Sequence, residues 1–429
     1  MQQKLVNFID NKISSTLLGK INLFIFFLII VWTLTPYLME NTNQFIVILT
    51  FGFWWVSVFL YIFMKKKLVI SKRLLIPITI IWLAIVSIYI LVQMPNFSFG
   101  NYFYVILYYM PIFFLVFYLK YGNYSDFKKI ITFSFLVLFI NAVTNITILI
   151  QNPYAAKEAT GGYGIVNYSS TNIITDIYIF AYVLTVYGSL IAIKFFSSTI
   201  IKFCFAIYSV VATIMILQST FFIAIISLFL LVVLLIILKD GSKSSTYLKV
   251  CLFISSLSLI FLFRDFFLST IIDWIYAVTD NYIIIHRVEA LTKVLTDFSF
   301  YGTLEARMKD LVISLKTFTE YPLFGRGYLL SDDIYSTGIG MHSHLLDDLA
   351  RFGIFVFTFQ LLVYAFFVKY VNRLLEIRTR KLYVISWIGF TFYALFNPIV
   401  YPPAGIALFF ILPMTIIYLD SMSSRRKEV

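Results

Sequence analysis

Apolar segments of roughly 14–21 residues recur along the whole chain, and short charged stretches separate them. A run of about 20 apolar residues crosses a bilayer as an α-helix, because lipid offers backbone N–H and C=O groups no other partner. Hydrophobic residues make up 61% of the chain and charged residues 13%, whereas soluble domains contain about half and a quarter. The sequence therefore predicts an all-α polytopic membrane protein with about twelve transmembrane helices, at 21–38, 45–64, 74–92, 102–119, 130–150, 173–193, 203–217, 220–238, 250–263, 352–368, 382–396 and 404–419.

Lysine and arginine are distributed unevenly between the two sides of this predicted topology. The segments on one side, which include both termini, contain 24 of the 33 basic residues, and the other side contains 9. Because basic residues accumulate in cytoplasmic loops, both termini are predicted to be cytoplasmic. The net charge of +12 then faces anionic lipid headgroups, so membrane lipids are expected partners and nucleic acid is not.

The longest segment between predicted spans is 264–351, which covers 88 positions on the outer side of the membrane. Loops of this length are usually functional. Within it, Thr303–Glu320 is predicted to form an amphipathic helix that lies on the membrane surface or caps the bundle. We therefore predict one polytopic membrane domain over 1–429 with an embedded, helical extracytoplasmic subdomain at 264–351. The apolar residues of the amphipathic helix recur at spacings of four and three: Leu304, Met308, Leu311, Leu315 and Phe318.

Side chains suited to catalysis are concentrated in this loop. All three histidines of the chain lie there, namely His286, His342 and His344, and a neutral imidazole can take a proton from a hydroxyl near neutral pH. Eight basic and twelve acidic residues share the loop, so an ion pair is the alternative role for any one arginine. The adjacent pairs Asp332-Asp333 and Asp347-Asp348 do not converge readily on one cation. We interpret them as solvated or helix-associated charges and expect no metal site.

The order of motifs in the second half of the loop is distinctive. Arg307 opens the predicted helix, Tyr321-Pro322-Leu323-Phe324-Gly325-Arg326-Gly327 follows it, and His342-Ser343-His344 precedes Leu349-Ala350-Arg351-Phe352-Gly353. This set resembles the O-antigen polymerase and ligase superfamily of bacterial envelope glycosyltransferases, in which a glycine eleven residues past a histidine begins the next span. His342 and Gly353 are eleven residues apart, so His342, not His344, takes the position of the family histidine. One departure is Gln218-Ser219-Thr220, where the family often has an arginine.

The resemblance implies transfer of a glycan from undecaprenyl diphosphate to an acceptor hydroxyl, at the outer face of the bacterial cell membrane and without a cofactor. It implies two catalytic residues, His342 as the base for the acceptor hydroxyl and Arg307 as the bidentate partner of the leaving diphosphate. The expected partners are an undecaprenyl-diphosphate-linked oligosaccharide and a chain-length regulator. Further candidates for binding diphosphate or glycan are Arg264, Arg287, Arg326, Arg351 and His344.

The leading hypothesis is a polymerase that builds O-antigen or capsular polysaccharide, because His342-Ser343 resembles polymerase variants of the motif. Ligases more often carry His-Asn, and a ligase that transfers finished glycan to lipid A-core is the near alternative. The alternative from another class is a lipid-linked oligosaccharide flippase or other transporter. Coupled transporters usually carry several buried charges, whereas Asp176 is the one acidic residue within the predicted spans. The clustered histidine and arginine residues argue against a non-catalytic scaffold.

Overall fold

The computed structural model describes residues 16–64, 75–92, 99–122, 124–151, 303–327, 338–396 and 402–428, and isolated helical positions between 199 and 293. Within these ranges the secondary structure is helical and contains no β-strand, which confirms the all-α class. A π-helical turn at Ala407–Ile411 joins the last two helices. In chain order the helices are α1 (Leu17–Leu34), α2 (Pro36–Asn41), α3 (Gln44–Met64), α4 (Leu75–Val92), α5 (Phe99–Tyr121), α6 (Tyr124–Gln151), α7 (Thr303–Glu320), α8 (His344–Asn372), α9 (Ile377–Phe396), α10 (Pro402–Ile406) and α11 (Leu412–Glu428).

Eight of the twelve predicted spans coincide with these helices. The other four, at 173–193, 203–217, 220–238 and 250–263, lie outside the described residues except for Phe203. In the described part, four helical stretches are long and apolar enough to cross a membrane: α1, α3, α8 and Pro402–Ser421. Shorter apolar stretches are Leu75–Tyr89 in α4 and Val105–Tyr121 in α5. The chain is thus all-helical with four candidate membrane-spanning helices in its described part, and the total of twelve stays a prediction.

The first helix is shifted by one turn from the predicted span at 21–38. It begins at Leu17, after Thr16, whose hydroxyl accepts a hydrogen bond from the amide of Gly19 at 3.1 Å. It ends at Leu34 because Pro36 disfavours a helical conformation of the residue before it. Thr35 accordingly adopts an extended conformation with ψ 99°. Hydrophobicity alone extended the predicted span too far, since the apolar pattern continues past the proline.

The segment 402–420 packs with α5 at the centre of the described bundle. Every residue of the segment 402–420 is buried. Aromatic rings join these elements to α1: the ring centroid of Phe26 lies 5.0 Å from that of Phe114 and 4.9 Å from that of Phe410. Gly405 permits close contact between α10 and α5, because a Cβ atom there would overlap the backbone carbonyl of Tyr108. This packing fixes the face of α5 that contributes to the candidate site.

The helix α7 has the bounds predicted for the amphipathic helix, and it packs against the start of α8. The side that it buries, however, is not the predicted apolar stripe. Ser314 and Thr317 are buried, whereas Leu315 of the stripe is 49% exposed. The facing segment, 338–347, presents backbone groups and a carboxylate that need hydrogen-bond partners, and hydroxyl side chains supply them. α7 therefore caps α8 with a polar face.

Candidate functional site

The helix α8 is broken at Gly353, the glycine eleven residues after His342. Gly353 has φ 64° and ψ 176°, a conformation that glycine adopts without the strain that a side chain would cause. The break divides α8 into a short part, 344–352, and a long apolar part, 354–372. Backbone carbonyls before the break and backbone amides after it lose their helical partners and need others.

The turn at 322–327 supplies those partners. Two of its amides donate to carbonyls at the end of the short part, and two of its carbonyls accept from amides at the start of the long part. We call this arrangement the 322–327 clamp. Its bonds run from Arg326 N to Ala350 O (2.9 Å), from Gly327 N to Arg351 O (2.8 Å), from Ile354 N to Pro322 O (2.8 Å) and from Phe355 N to Leu323 O (3.2 Å).

Two glycines allow the clamp to close. Gly325 and Gly353 both have positive φ, at 71° and 64°. A Cβ atom on Gly325 would overlap the carbonyl of Arg351, and one on Gly353 would overlap the carbonyl of Leu323. The glycine-containing motif and the later glycine therefore have a shared structural role. Together they hold the short part of α8, and with it the segment around His342, in a fixed position.

The segment before α8 lies along α7 and runs toward the N-terminus of that helix. The hydroxyl of Thr317 donates to the carbonyl of Gly338 at 2.5 Å, and the hydroxyl of Ser314, one turn earlier on α7, accepts from the amide of Gly340 at 2.8 Å. Gly340 also lies against the backbone of Asp310, because a Cβ atom at that glycine would overlap the Asp310 carbonyl. Each step of two residues along the segment thus moves about one turn along α7.

His342 comes next, beside Asp310. Its Nε2 lies 3.2 Å from Oδ2 of Asp310, and the side chains are 42% and 14% exposed. The imidazole is therefore accessible from outside, and a carboxylate lies beside one edge of the ring. Asp310 is not among the residues predicted from the sequence to act in catalysis. Its spacing of three residues from Arg307 is the signal that could have found it, since such residues are neighbours on a helix.

Arg307, the predicted catalytic arginine, precedes Asp310 on α7. Because residues three apart share a helix face, Arg307 lies one turn beyond the Asp310–His342 pair, in the direction in which the 338–342 segment runs. Its side chain is half-buried. The structure thus places the predicted base and the first predicted arginine at the same end of α7.

Ser343 and Asp347 fix the backbone directly after His342. The hydroxyl of Ser343 caps α8 by accepting from the amide of Leu346 at 3.1 Å. In return, Oδ2 of Asp347 accepts from the amide of Ser343 at 3.1 Å, and Oδ1 accepts from the hydroxyl of Ser314 at 2.5 Å. A serine at the cap and an acidic residue in the first turn both stabilise a helix start. The serine of the His-Ser motif therefore positions its histidine.

His344 points the other way, into the bundle, and is fully buried. Its Nε2 lies 2.8 Å from the hydroxyl of Tyr364, and its Nδ1 lies 3.4 Å from Oδ2 of Asp348 without the alignment of a hydrogen bond. The amide nitrogen of Gln360 has four acceptors within reach but two hydrogens. The shortest contacts are to Oδ2 of Asp348 at 2.7 Å and to the hydroxyl of Tyr109 at 3.1 Å. These five residues form a buried polar cluster.

Sequence reasoning found only part of this cluster. The prediction that His344 binds substrate remains untested, and in this structure its ring contacts protein side chains. Gln360 could have indicated the buried cluster from the sequence, because it is a polar residue inside a predicted span. Asp347 and Asp348 lie in α8, in agreement with the interpretation as helix-associated charges, and they point to different partners; both are buried.

The other predicted arginines are separated. Nη1 of Arg351 lies 3.3 Å from Oδ1 of Asp348, so this guanidinium shares the carboxylate of the buried cluster. The guanidinium of Arg326 lies against Gly338, four residues before His342. Arg264 and Arg287, and also His286, lie outside the described residues. Among the residues that the structure describes, no group of three or more histidine, cysteine or acidic side chains has an arrangement suited to a metal ion.

The arrangement at the end of α7 can perform one kind of chemistry directly. An accessible imidazole, oriented by a carboxylate, can take a proton from a hydroxyl, and a nearby arginine can bind an anionic leaving group. Comparison with models of protein families and with curated proteins finds no match to this chain.

Proposed function

We propose that the chain is a metal-independent membrane glycosyltransferase that polymerises undecaprenyl-diphosphate-linked repeat units into O-antigen or capsular polysaccharide. In the proposed reaction, a hydroxyl oxygen of the acceptor repeat unit bonds to the anomeric carbon of the donor glycan. The bond between that carbon and the diphosphate oxygen breaks, and undecaprenyl diphosphate leaves with the electron pair. The hydroxyl proton goes to the base. The proposed location is the bacterial cell membrane, with both termini cytoplasmic.

The observation that carries the proposal is the 3.2 Å approach of His342 to Asp310 at an accessible position. We assign the proton of a neutral His342 ring to Nε2, because this nitrogen faces the Asp310 carboxylate, which is only an acceptor. Nδ1 is then the basic nitrogen and is the atom that we assign to the acceptor hydroxyl. Asp310 would also stabilise the imidazolium that forms once the proton has moved.

Arg307 is the residue that we assign to the leaving diphosphate. Negative charge increases on the diphosphate as the glycosidic bond breaks, and a guanidinium can bind two of its oxygens at once. Arg307 lies one turn from Asp310 on the same helix, so it can act near the anomeric carbon that His342 serves. Arg351, which contacts Asp348 at 3.3 Å, is a further candidate for the diphosphate. Arg326, Arg264 and Arg287 remain candidates for the rest of the carrier or the glycan.

The buried polar cluster favours the alternative from another class. Ionisable groups inside a helical bundle often mark a substrate or ion route, and His344 and Asp348 lie at the N-terminal end of a candidate span, which is the end predicted to face outward. A lipid-linked oligosaccharide flippase with a gate at this cluster would depend on Gln360 and Tyr364 and tolerate loss of His342. The polymerase proposal requires the opposite pattern.

Deletion of the gene tests the proposal in cells. In a two-membraned host, loss of a polymerase leaves surface glycolipid that carries a single repeat unit, because ligation continues. Loss of a ligase leaves bare lipid A-core while long polymer accumulates on the carrier. Loss of a flippase leaves repeat units on the inner side of the membrane. Gel separation of surface glycolipid, with complementation by the wild-type gene, distinguishes the first outcome from the other two. Bare lipid A-core without a single-repeat band would contradict the proposal.

A further inference from the structure

A groove of about 780 Å³ lies between the C-terminal end of α8 and the facing side of α9. It is at the other end of α8 from His342, on the side that the charge distribution predicts to be cytoplasmic. The proposed glycosyl transfer does not use it. Basic side chains line one end of the groove: Lys369, Arg373 and Arg380. Apolar side chains line its walls, among them Ala365, Val384 and Ile388.

The length of the groove corresponds to one leaflet of a bilayer. On α9 its lining extends from Arg380, at the basic end, to Thr391, eleven steps of about 1.5 Å each, or about 16 Å. Half of the hydrocarbon core of a typical bilayer is about 15 Å thick. The cationic end of the groove therefore coincides with the predicted headgroup level, and the apolar end reaches about the middle of the bilayer.

The positive charge at the mouth of the groove is held in place. Nε of Arg380 donates to the carbonyl of Asn372 at 2.9 Å, and one Nη donates to the carbonyl of Leu375 at 3.0 Å. These bonds use two of the five N–H donors of the guanidinium. The nearby carboxylate of Asp420 accepts from the Thr379 hydroxyl at 2.9 Å and from the Glu376 amide at 2.7 Å, so its oxygens are engaged at the start of α9.

We propose that this groove binds one anionic phospholipid of the cytoplasmic leaflet. The phosphate lies against Lys369 and Arg373, beside the fixed charge of Arg380, and an acyl chain lies along Ala365, Val384 and Ile388. A basic pocket between transmembrane helices on the cytoplasmic side suits an anionic headgroup, and the apolar walls require the acyl chain as well. The proposal does not depend on the proposed glycosyltransferase activity.

Native mass spectrometry of the purified full-length protein tests this site, with phosphatidylglycerol and phosphatidylcholine of identical acyl chains as the probes. We expect the protein to retain one phosphatidylglycerol in preference to phosphatidylcholine by roughly tenfold. The double variant Lys369→Gln, Arg373→Gln removes this preference. The matched control, Lys128→Gln with Lys129→Gln, changes two exposed basic residues near the start of α6 on the same predicted side and keeps it.

A second variant tests the apolar part of the groove without changing any charge. Ala365 is exposed on the groove wall, so Ala365→Trp fills the acyl-chain position and is expected to abolish retention of phosphatidylglycerol. Thermal unfolding without added lipid checks that each variant is folded. The variant Lys369→Arg keeps the positive charge and is expected to retain the lipid. Three results would each overturn the proposal. The control with Lys128→Gln and Lys129→Gln could lose the lipid preference equally, Ala365→Trp could retain the lipid, or the wild type could show no preference between the two lipids. If the wild-type protein forms a dimer and Ala365→Trp abolishes that dimer, the groove binds a second copy of the chain. That result would also overturn the lipid proposal.

Discussion

Two histidines separated by one residue have opposite surroundings in this protein. His342 is 42% exposed and faces Asp310, whereas His344 is fully buried and faces Tyr364. Ser343 lies between them and caps α8, so the chain changes from an extended segment to a helix at that residue. This change turns one imidazole outward and the other inward. Substitution of each histidine should therefore affect a different property.

We predict that His342→Ala lowers the rate by about 10²–10⁴-fold with little change in thermal stability, because it removes a general base from an accessible position. His344→Ala should instead lower the unfolding temperature, since it removes the shortest hydrogen-bond contact of the Tyr364 hydroxyl and leaves space inside the buried cluster. The folded fraction of that variant should keep a substantial part of the activity. Rates per folded molecule and unfolding temperatures of the two variants check this. Equal activity of the two folded variants would refute the assignment of His342.

Arg307 is predicted to need its guanidinium and not only its charge. Arg307→Lys should lower the rate at least as strongly as loss of a single charge-assisted hydrogen bond, about tenfold or more, because lysine cannot bind two diphosphate oxygens in a fork. Lys309→Gln is the matched control: Lys309 lies two residues away, is 66% exposed and pairs with Glu305. Steady-state rates measured with and without a chelator complete the test. Full activity of Arg307→Lys, or a requirement for magnesium, contradicts the assigned role.

The helices and the 322–327 clamp show what the sequence could predict of the fold. Long apolar runs and the spacing of apolar residues predicted α3, α4 and α7 almost to the residue, since both patterns depend on local sequence. The motif that resembles the O-antigen polymerase and ligase superfamily includes the glycines of the clamp, but it does not indicate their structural role. Gly325 and Gly353 meet only through contacts between distant parts of the chain, and no local pattern reports such contacts. The polar face of α7 was missed for the same reason.

The clamp predicts that Gly353→Ala is destabilising. The substitution forces an alanine to φ 64° and places its Cβ against the carbonyl of Leu323, which should cost about 1–3 kcal/mol. Gly52→Ala is the control, because Gly52 lies in α3 with open space around its Cβ position. That change should be neutral or stabilising, since alanine favours a helix more than glycine does. Thermal unfolding of both variants in detergent checks the prediction, which fails if the two variants unfold at the same temperature as the wild type.

On the scale of the whole molecule, the candidate site and the lipid groove lie at opposite ends of α8. The charge distribution predicts that His342 is outside the cell membrane and Lys369 inside it. Composition was sufficient to predict the class of the protein, because 61% hydrophobic residues leave few alternatives to a membrane bundle. It could not predict the buried polar cluster, which joins His344 and Gln360 of α8 to Tyr109 of α5 across the bundle.

The predicted topology is tested by reporter fusions. A reporter that is active only outside the cytoplasm should be active when it is fused after Thr337, in the long loop, and inactive when it is fused after Lys243. The reason is that 24 of 33 basic residues lie on the predicted cytoplasmic side, which includes Lys243. Activity after Lys243 with none after Thr337 would reverse the orientation and remove His342 from the side where the acceptor is expected.

We propose that His342, positioned beside Asp310, catalyses polymerisation of lipid-linked repeat units. The most direct measurement is the length distribution of products formed by the purified protein from an undecaprenyl-diphosphate-linked repeat unit, with no lipid A-core acceptor present. We predict products of two or more repeat units for the wild type, strongly reduced yield for Asp310→Asn, and almost none for His342→Ala. The proposed polymerase function is wrong if the wild-type protein forms product only after lipid A-core is added. The role of His342 is wrong if the His342→Ala variant polymerises at the wild-type rate.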